Sequence, residues 1–306
     1  MTFPMYQEFS RGFNERMNVC ETRYARPLLT ADESEILRFL AARPIHTVFM
    51  ASLIRDNGVV NDLNRGSFFG CRTPDEALDG VALLGHATLV ETENPECIRA
   101  FANLAKNHPP AHLIRGEHHK IESFWQYFTD GQHKPRVVCG ELLLELDTIR
   151  TDTTAVAGLR RATVADLEAV IKVNAALACG ESGIDPLQRD PDGFRARNAR
   201  RIEKGRVWVW IEGQRLLYKT DIVAETSEAA YLEGVYVDPD YRNRGYGLRC
   251  LTQLASSLLK QTQTICLTVN EKNAGTQRFY RKAGYKLVCR YDSIYLDSTG
   301  LTETAR

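Results

Sequence analysis

The chain has 306 residues, 43% of them hydrophobic, and its 39 Lys and Arg balance 39 Asp and Glu to leave no formal net charge. That length accommodates two domains more readily than one, at roughly 100 to 200 residues each. The charge balance offers no bulk attraction for nucleic acid or an anionic membrane surface, and no window approaches the ~18 consecutive apolar residues of a membrane span.

The N-terminal stretch "MTFPMYQEFSRGFNERMNVC" has no continuous apolar core, so it is not read as a secretory leader. Residues 1–25 are expected to be a flexible extension, with Met17 as an alternative start. The eight cysteines, at 20, 71, 97, 139, 179, 250, 266 and 289, show no CxxC or other metal spacing. They read as reduced, mostly buried thiols of a cytoplasmic protein, with Cys250 and Cys266 in apolar patterns. His118 and His119 lack a third ligand nearby and read as an exposed helix start, so no metal is expected.

From residue 26 the first half reads as an α/β unit. "ADESEILRFLAARP" and "HTVFMASLIRDNG" predict helices, the first with Asp32 or Ser34 as cap. "GSFFGCR" and "GVALLGHATLVET" each read as a strand, "PECIRAFANLAKNHPP" as a helix, "AHLIRGE" as a strand, "HKIESFWQYF" as a helix and "PRVVCGELLLEL" as a closing strand. In the second of these helices Phe124, Trp125, Tyr127 and Phe128 read first as core aromatics. All seven histidines precede residue 151, and the threonine-rich "LDTIRTDTTAVAG" lacks helical periodicity, so the boundary is set near residue 150.

Residues 151–306 repeat the rhythm. "AGLRRAT" is a strand, and "VADLEAVIKVNAALA" and "DPDGFRARNARRIEKG" are helices, with Glu181 in the loop between them. "RVWVWIEGQRLLYKTDIVAET" is a hairpin turning at Glu212-Gly213. A strand "AAYLEGVYV", a helix "YGLRCLTQLASSLLK" with Leu248, Leu251, Ala255, Leu258 and Leu259 on one face, a strand "TICLTVN", a helix "AGTQRFYRKAG" and a final strand pair "YKLVCRYDSIYL" follow. Strand-helix-strand order implies a right-handed crossover and a partly parallel sheet. The two halves therefore read as a diverged repeat of one α/β unit.

The stretch "VYVDPDYRNRGYG" joins strand to helix. Pro239 ends the strand, and Gly245 and Gly247 let backbone N–H groups approach a ligand. The helix start offers unpaired N–H groups and the positive end of its dipole, and Arg242 and Arg244 add charge, so the loop can cradle a pyrophosphate. A tight turn with solvated arginines is the alternative reading of these residues alone. Downstream, Asn273 can cap a helix that carries Tyr280 and stops at Gly284, before Tyr285 opens the next strand.

With "YLEGVYVDP", "RNRGYG" and the Asn273–Tyr280–Gly284-Tyr285 pattern, residues 155–297 resemble the GNAT superfamily of N-acetyltransferases. The whole chain resembles two-part GNAT proteins through "ARPIHTVFMASLIRDNG", "DPDGFRARNARRIEKGRVWV" and "RCLTQLA". Thr276 stands where that family's helix often has alanine. The resemblance implies an α/β (α+β) fold, a mixed sheet flanked by helices, in two tandem units: a degenerate one over 26–150 and an acetyltransferase domain over 151–306.

It also implies acetyl-CoA as cosubstrate. Pantetheine would pair with a bulged fourth strand at Val235, Tyr236 and Val237. Pyrophosphate would sit on Arg242, Asn243, Arg244, Gly245, Tyr246 and Gly247, with Asn273 close to the cofactor. Glu233 is the candidate base, directly or through water, the Val235 N–H the oxyanion donor, and Tyr280 the acid. Glu181 is an acceptor-side candidate for an ammonium, with a solvated loop acid as the plainer reading. Surface and core roles are the corresponding plain readings of Glu233 and Tyr280.

The first half lacks the cofactor loop. Glu91, Glu93 and Glu96 stand where an arginine and a GxG would be needed, so no CoA is expected there. The reading is thus an N-acyltransferase acting on an amine of a small molecule or peptide. A non-catalytic acyl-CoA sensor and a transferase for longer acyl or aminoacyl groups are the rivals. Aminoacyl transfer from tRNA would call for a basic groove that the neutral composition does not advertise.

Overall fold

The computed structural model describes residues 25–109, 111–129, 134–149 and 155–296. Residues 1–24 of the expected extension and the boundary near residue 150 lie outside the described residues. The first half runs β1 (Ala25–Pro27), α1 (Glu33–Ala41), α2 (Pro44–Asn57), β2 (Gly66–Arg72), β3 (Leu78–Gly85), β4 (Ala87–Thr92), α3 (Pro95–Lys106), β5 (Leu113–Glu117), α4 (His118–Phe128) and β6 (Pro135–Leu146). The second runs β7 (Leu159–Arg161), α5 (Leu167–Ser182), α6 (Pro186–Arg189), α7 (Pro191–Glu203), β8 (Val207–Glu212), β9 (Arg215–Glu225) and β10 (Ala229–Val237). It continues with α8 (Tyr246–Leu258), β11 (Thr264–Asn270), α9 (Ala274–Lys282) and β12 (Lys286–Leu296).

The repeat extends to local detail. Ahead of each half's first long helix, a carboxylate closes a 3-10 turn on the backbone N–H three residues earlier: Asp32 on Leu29 and Asp166 on Thr163, at 2.8 and 2.7 Å. In each half one strand pair is parallel and is joined by a crossover helix, β4 to β5 through α3 and β10 to β11 through α8.

Three expectations change. "GVALLGHATLVET" is a hairpin rather than one strand: β3 and β4 pair antiparallel, Leu83 opposite Leu89. Gly85 makes the corner possible, because a Cβ there would lie 2.3 Å from the Arg65 carbonyl oxygen. "YKLVCRYDSIYL" is one continuous strand with a bulge between Leu287 and Cys289, not a pair. Its polar middle stays extended because Asp292 accepts from His118 at 2.6 Å and Ser293 donates to Glu141 at 2.6 Å. Glu181 lies in the last turn of α5, not in a loop. The helix persists because the Ser182 hydroxyl donates to the Ala178 carbonyl, and it ends where Gly183 takes φ +70°.

All the described strands form one sheet, in the order β1-β2-β3-β4-β5-β12-β6-β11-β10-β9-β8-β7. Each half hands its last strand to the other. β6 pairs antiparallel with β11, Leu144 opposite Leu267, and β12 pairs antiparallel with β5, Ile294 opposite Ile114. β6 and β12 then pair with each other along their length and stitch the halves together. The cores follow the exchange. Ile294 and Leu296 of β12 pack with Phe101, Ile114 and Phe124 of the first half, while Leu144 and Leu146 of β6 pack with Leu251, Ile265 and Leu267 of the second. Each such side chain, at most 5% exposed, contributes roughly 1.5–3 kcal/mol by burial.

Other residues fall as read. Leu251, Ala255 and Leu258 of α8 are buried, Leu248 and Leu259 flank them, and Cys250 and Cys266 are fully buried. Phe124 and Phe128 are core, Trp125 packs beside them, and Tyr127 is exposed. Among the described residues no helix is long and apolar enough to cross a membrane.

Candidate active site

The loop between β10 and α8 has the form its glycines require. Asp238 closes a short turn by accepting from the Asp240 N–H at 3.0 Å, and Arg215 clamps Asp238 with two bonds of 2.6 and 2.7 Å. Asn243 (φ +59°) and Gly245 (φ +79°) then take left-handed conformations, and Gly245 is the helix cap. No side chain caps α8, so its first N–H groups face outward. A Cβ on Gly245 would meet nothing within 4 Å, whereas one on Gly247 would come 2.8 Å from Val237. Gly245 thus serves the backbone conformation and the open space above it, and Gly247 serves the packing of helix on strand. Around this opening Arg242 donates to the Val237 carbonyl, Arg244 lies over the Tyr241 ring, and Arg249 lies over the Tyr246 ring. Among the described residues none of the three has a carboxylate at salt-bridge distance. The dipole and the cations together could hold an anion.

Beside it the sheet opens. Parallel pairing of β10 with β11 runs from Ala229–Thr264 to Tyr231–Cys266 and stops, leaving Leu232–Val237 without a partner on that edge. On the other edge β10 carries a bulge against β9 between Glu233 and Tyr236, where Gly234 takes φ +60°. Val235 occupies the bulge, half-buried against the α8 core. Asn273 stands beyond β11 and caps α9, accepting from the Thr276 N–H at 3.0 Å.

Charged groups from both halves line the cleft. Arg115 of β5 reaches across the exchanged strands to Tyr231 (2.6 Å), Thr268, Glu141 of β6 (3.3 Å) and Glu233 of β10 (3.4 Å). Glu233 is about half exposed and engaged with Arg115. Glu181 is reached by solvent, yet it sits in a recess crowded by protein. That crowding, then Glu233 and Glu141, raise its carboxyl to about 7. Tyr280 on α9 is only 6% exposed, and its ring meets Phe279 and Tyr285. No hydrogen bond engages its hydroxyl among the described residues. Burial, and secondarily Glu181, push its pKa further up, so it holds its proton at neutral pH. Glu181 is close enough to Glu233 and to Tyr280 for its charge to be felt with each. Sequence reading missed Arg115 and Glu141. The one signal was a charge within the otherwise apolar strands "LIRGE" and "GELLLEL".

The equivalent place in the first half is built differently. Pairing of β4 with β5 also stops early, after Leu89–Arg115, but the small cavity left there has an ion cluster in its wall. Lys120, 2% exposed, lies 3.0 Å from Glu91 and 2.9 Å from Glu117, and Arg43 lies 2.7 and 2.8 Å from the same two carboxylates. Asn94 caps α3 by accepting from the Glu96 N–H at 2.9 Å. Neither feature suits a pyrophosphate. Two groupings there have metal-like spacing, His46–Glu117–Cys289 and Glu91–Glu93–Glu117. Both include Glu117, which Arg43 and Lys120 already engage.

Residues 203–287, which span the β9–β10 strands, the glycine loop and α9, match the acetyltransferase (GNAT) domain family. No curated protein matches the chain. Among solved structures the fold is similar to a Drosophila protein (TM-score 0.68, 13% identity, covering 91% of this chain and 100% of that one). It is also similar to a GCN5-related N-acetyltransferase from Sphaerobacter thermophilus (TM-score 0.54, 17%, 88% and 94%). A tandem GNAT protein from the clavulanic acid biosynthesis pathway is a third neighbour (TM-score 0.55, 12%, 91% and 99%). These identities speak for the fold alone. The likeness to a GNAT acetyltransferase domain thus lies in the second half, over residues 203–287, and the solved neighbours share the fold of the chain as a whole.

Proposed function

We propose that the protein is an acyl-CoA-dependent N-acyltransferase that moves an acetyl group from acetyl-CoA to an amine. The observation that carries this reading is the unpartnered, bulged edge of β10 running directly into the uncapped N-terminus of α8. One end offers backbone N–H and C=O groups to an extended amide-bearing chain, and the other offers a seat for its pyrophosphate.

The cleft residues divide the work. Glu181 and Glu233 attract the acceptor's ammonium. Glu181, titrating near neutrality, takes the proton that must leave before the nitrogen can attack. Glu233, held by Arg115, orients the amine. The Val235 N–H donates to the oxygen on which negative charge develops. Tyr280 gives its proton to the departing thiolate. Arg115 and Glu141 reach this cleft from the first half, so the acceptor side is a joint product of both units. The acceptor is thereby an amine-bearing small molecule or peptide small enough to enter between them.

Calorimetric titration of acetyl-CoA into the full chain tests the first requirement, and thiol release against a panel of amines tests the second. Absence of acetyl-CoA binding would overturn the reading.

A further inference from the structure

A strand covered on both faces normally spends its interior positions on apolar side chains, yet β9 has a lysine at its centre. Lys219 is 0% exposed, next to the buried Tyr218 and Leu217. Its ammonium lies 2.9 Å from Asp221, donates to the Asn174 side-chain carbonyl, and donates to the Gly234 carbonyl oxygen at 3.2 Å. Asp221 is bound in turn by Asn174 at 3.0 Å and Arg201 at 2.9 Å. Burying an ammonium costs several kcal/mol even when it is paired, and an apolar side chain would often serve stability as well. The charge therefore calls for a role beyond packing.

Of the bonds Lys219 makes, the one to Gly234 touches the cleft. Gly234 is the left-handed residue of the β10 bulge, and a Cβ there would lie 2.4 Å from the Lys219 nitrogen, so any other residue would displace the ammonium as well as strain the backbone. No described peptide bond is cis, and in a trans peptide the C=O and N–H point to opposite sides. With the Gly234 carbonyl turned to the Lys219 ammonium, the Val235 N–H of the same peptide points away from that ammonium. A cation on the carbonyl also draws electron density through the amide and strengthens its N–H as a donor.

We propose that Lys219 is a positioning residue for acyl transfer: its ammonium fixes and polarises the Gly234–Val235 peptide, so that the Val235 N–H is aimed at the thioester carbonyl oxygen. This rests on the acyl-CoA reading above. Infrared difference spectra of acetyl-CoA labelled with 13C at its carbonyl, bound to the full chain, read the effect without an acceptor. In the native protein the carbonyl stretch moves to lower wavenumber on binding. In Lys219→Met the nucleotide still binds, but at least about half of that shift disappears. Lys219→Gln, which keeps an uncharged donor, falls between the two. Should Lys219→Met not fold, the native protein still decides through the Val235 amide resonance, which moves downfield with acetyl-CoA more than with CoA. A full carbonyl shift retained in either folded variant, or equal Val235 shifts with the two nucleotides, would overturn the proposal while leaving the acyl-CoA reading intact. Absence of acetyl-CoA binding to the native protein overturns both.

Discussion

Gly245→Asp and Gly245→Ala separate the backbone role of this glycine from its role as an open seat. A Cβ at Gly245 meets no atom within 4 Å, so neither variant clashes. Both must hold φ near +79°, which costs an L-residue about 1–2 kcal/mol. In a chain of this size that lowers the melting temperature by only a few degrees, roughly 2–6 °C. The binding effects differ far more. Alanine adds one methyl to the seat. Aspartate adds a negative charge about 5 Å from a bound phosphate, worth about 3 kcal/mol per phosphate charge at an effective dielectric near ~20. That corresponds to roughly 100-fold weaker binding, diminished by salt. Calorimetry with acetyl-CoA at two ionic strengths, paired with thermal melts, reads both quantities. We expect Gly245→Asp to lose about two orders of magnitude in affinity and Gly245→Ala several-fold less, with both folded. A folded Gly245→Asp that binds acetyl-CoA as tightly as the native protein would refute the loop as a phosphate seat.

Tyr280→Phe should lower turnover by about 100-fold while acetyl-CoA affinity and the melting temperature stay near native, because the hydroxyl it removes has no hydrogen-bond partner among the described residues. Steady-state kinetics showing an unchanged kcat would remove Tyr280 from the chemistry. The acid limb of kcat/KM should have an apparent pKa near 7 set by Glu181, and Glu181→Gln should abolish that limb; its persistence would move the base elsewhere. Since the folded pKa of Glu181 is raised, its ionisation opposes folding as pH climbs from about 4.5 to 7, so Glu181→Gln should also flatten the decline in stability over that window. Glu117 behaves oppositely: against the desolvation of burial, Arg43 and Lys120 hold its carboxyl down to about 2. Its contribution is full above the unfolded value near 4.5 and lost as pH falls toward 2. At about 1.4 kcal/mol per pH unit it is worth about 3 kcal/mol. Glu117→Gln should therefore destabilise by about that much at pH 7 and by little at pH 2, as read by denaturant melts.

What could be read from the residues was what is local. "RNRGYG" declares itself because left-handed backbone and close packing demand glycine at Gly245 and Gly247, whatever the rest of the chain does. The placement of Glu233 on a strand, and of Asn273 and Tyr280 on the cap and body of one helix, is legible for the same reason. The β3–β4 corner was hidden inside a continuous apolar run, where only Gly85 marked the turn. Glu181 reads as a loop residue because "CGESG" is rich in turn formers, but Ser182 spends its hydroxyl inside the helix. Arg115 and Glu141 belong to the second half's cleft only because β12 and β6 change places, and no short window of sequence encodes that exchange. Lys219 resembled any polar residue in a hairpin until its burial was known.

The exchange of β6 and β12 also governs the order in which the polypeptide can become itself. Glu117 of β5 waits for Tyr291 as its strand partner, so the first unit's sheet stays unfinished until β12, far later in the chain, has left the ribosome. Until then β5 presents a bare edge able to pair with any passing strand, the situation in which chaperones are most often needed. Pairings so distant in sequence slow folding, because loop-closure entropy must be met before they form. The same arrangement makes the two units depend on each other: removal of either would leave the other without its final strand. A first unit without a glycine-rich cofactor loop is thus tied to the second by architecture as well as by the residues it lends to the cleft.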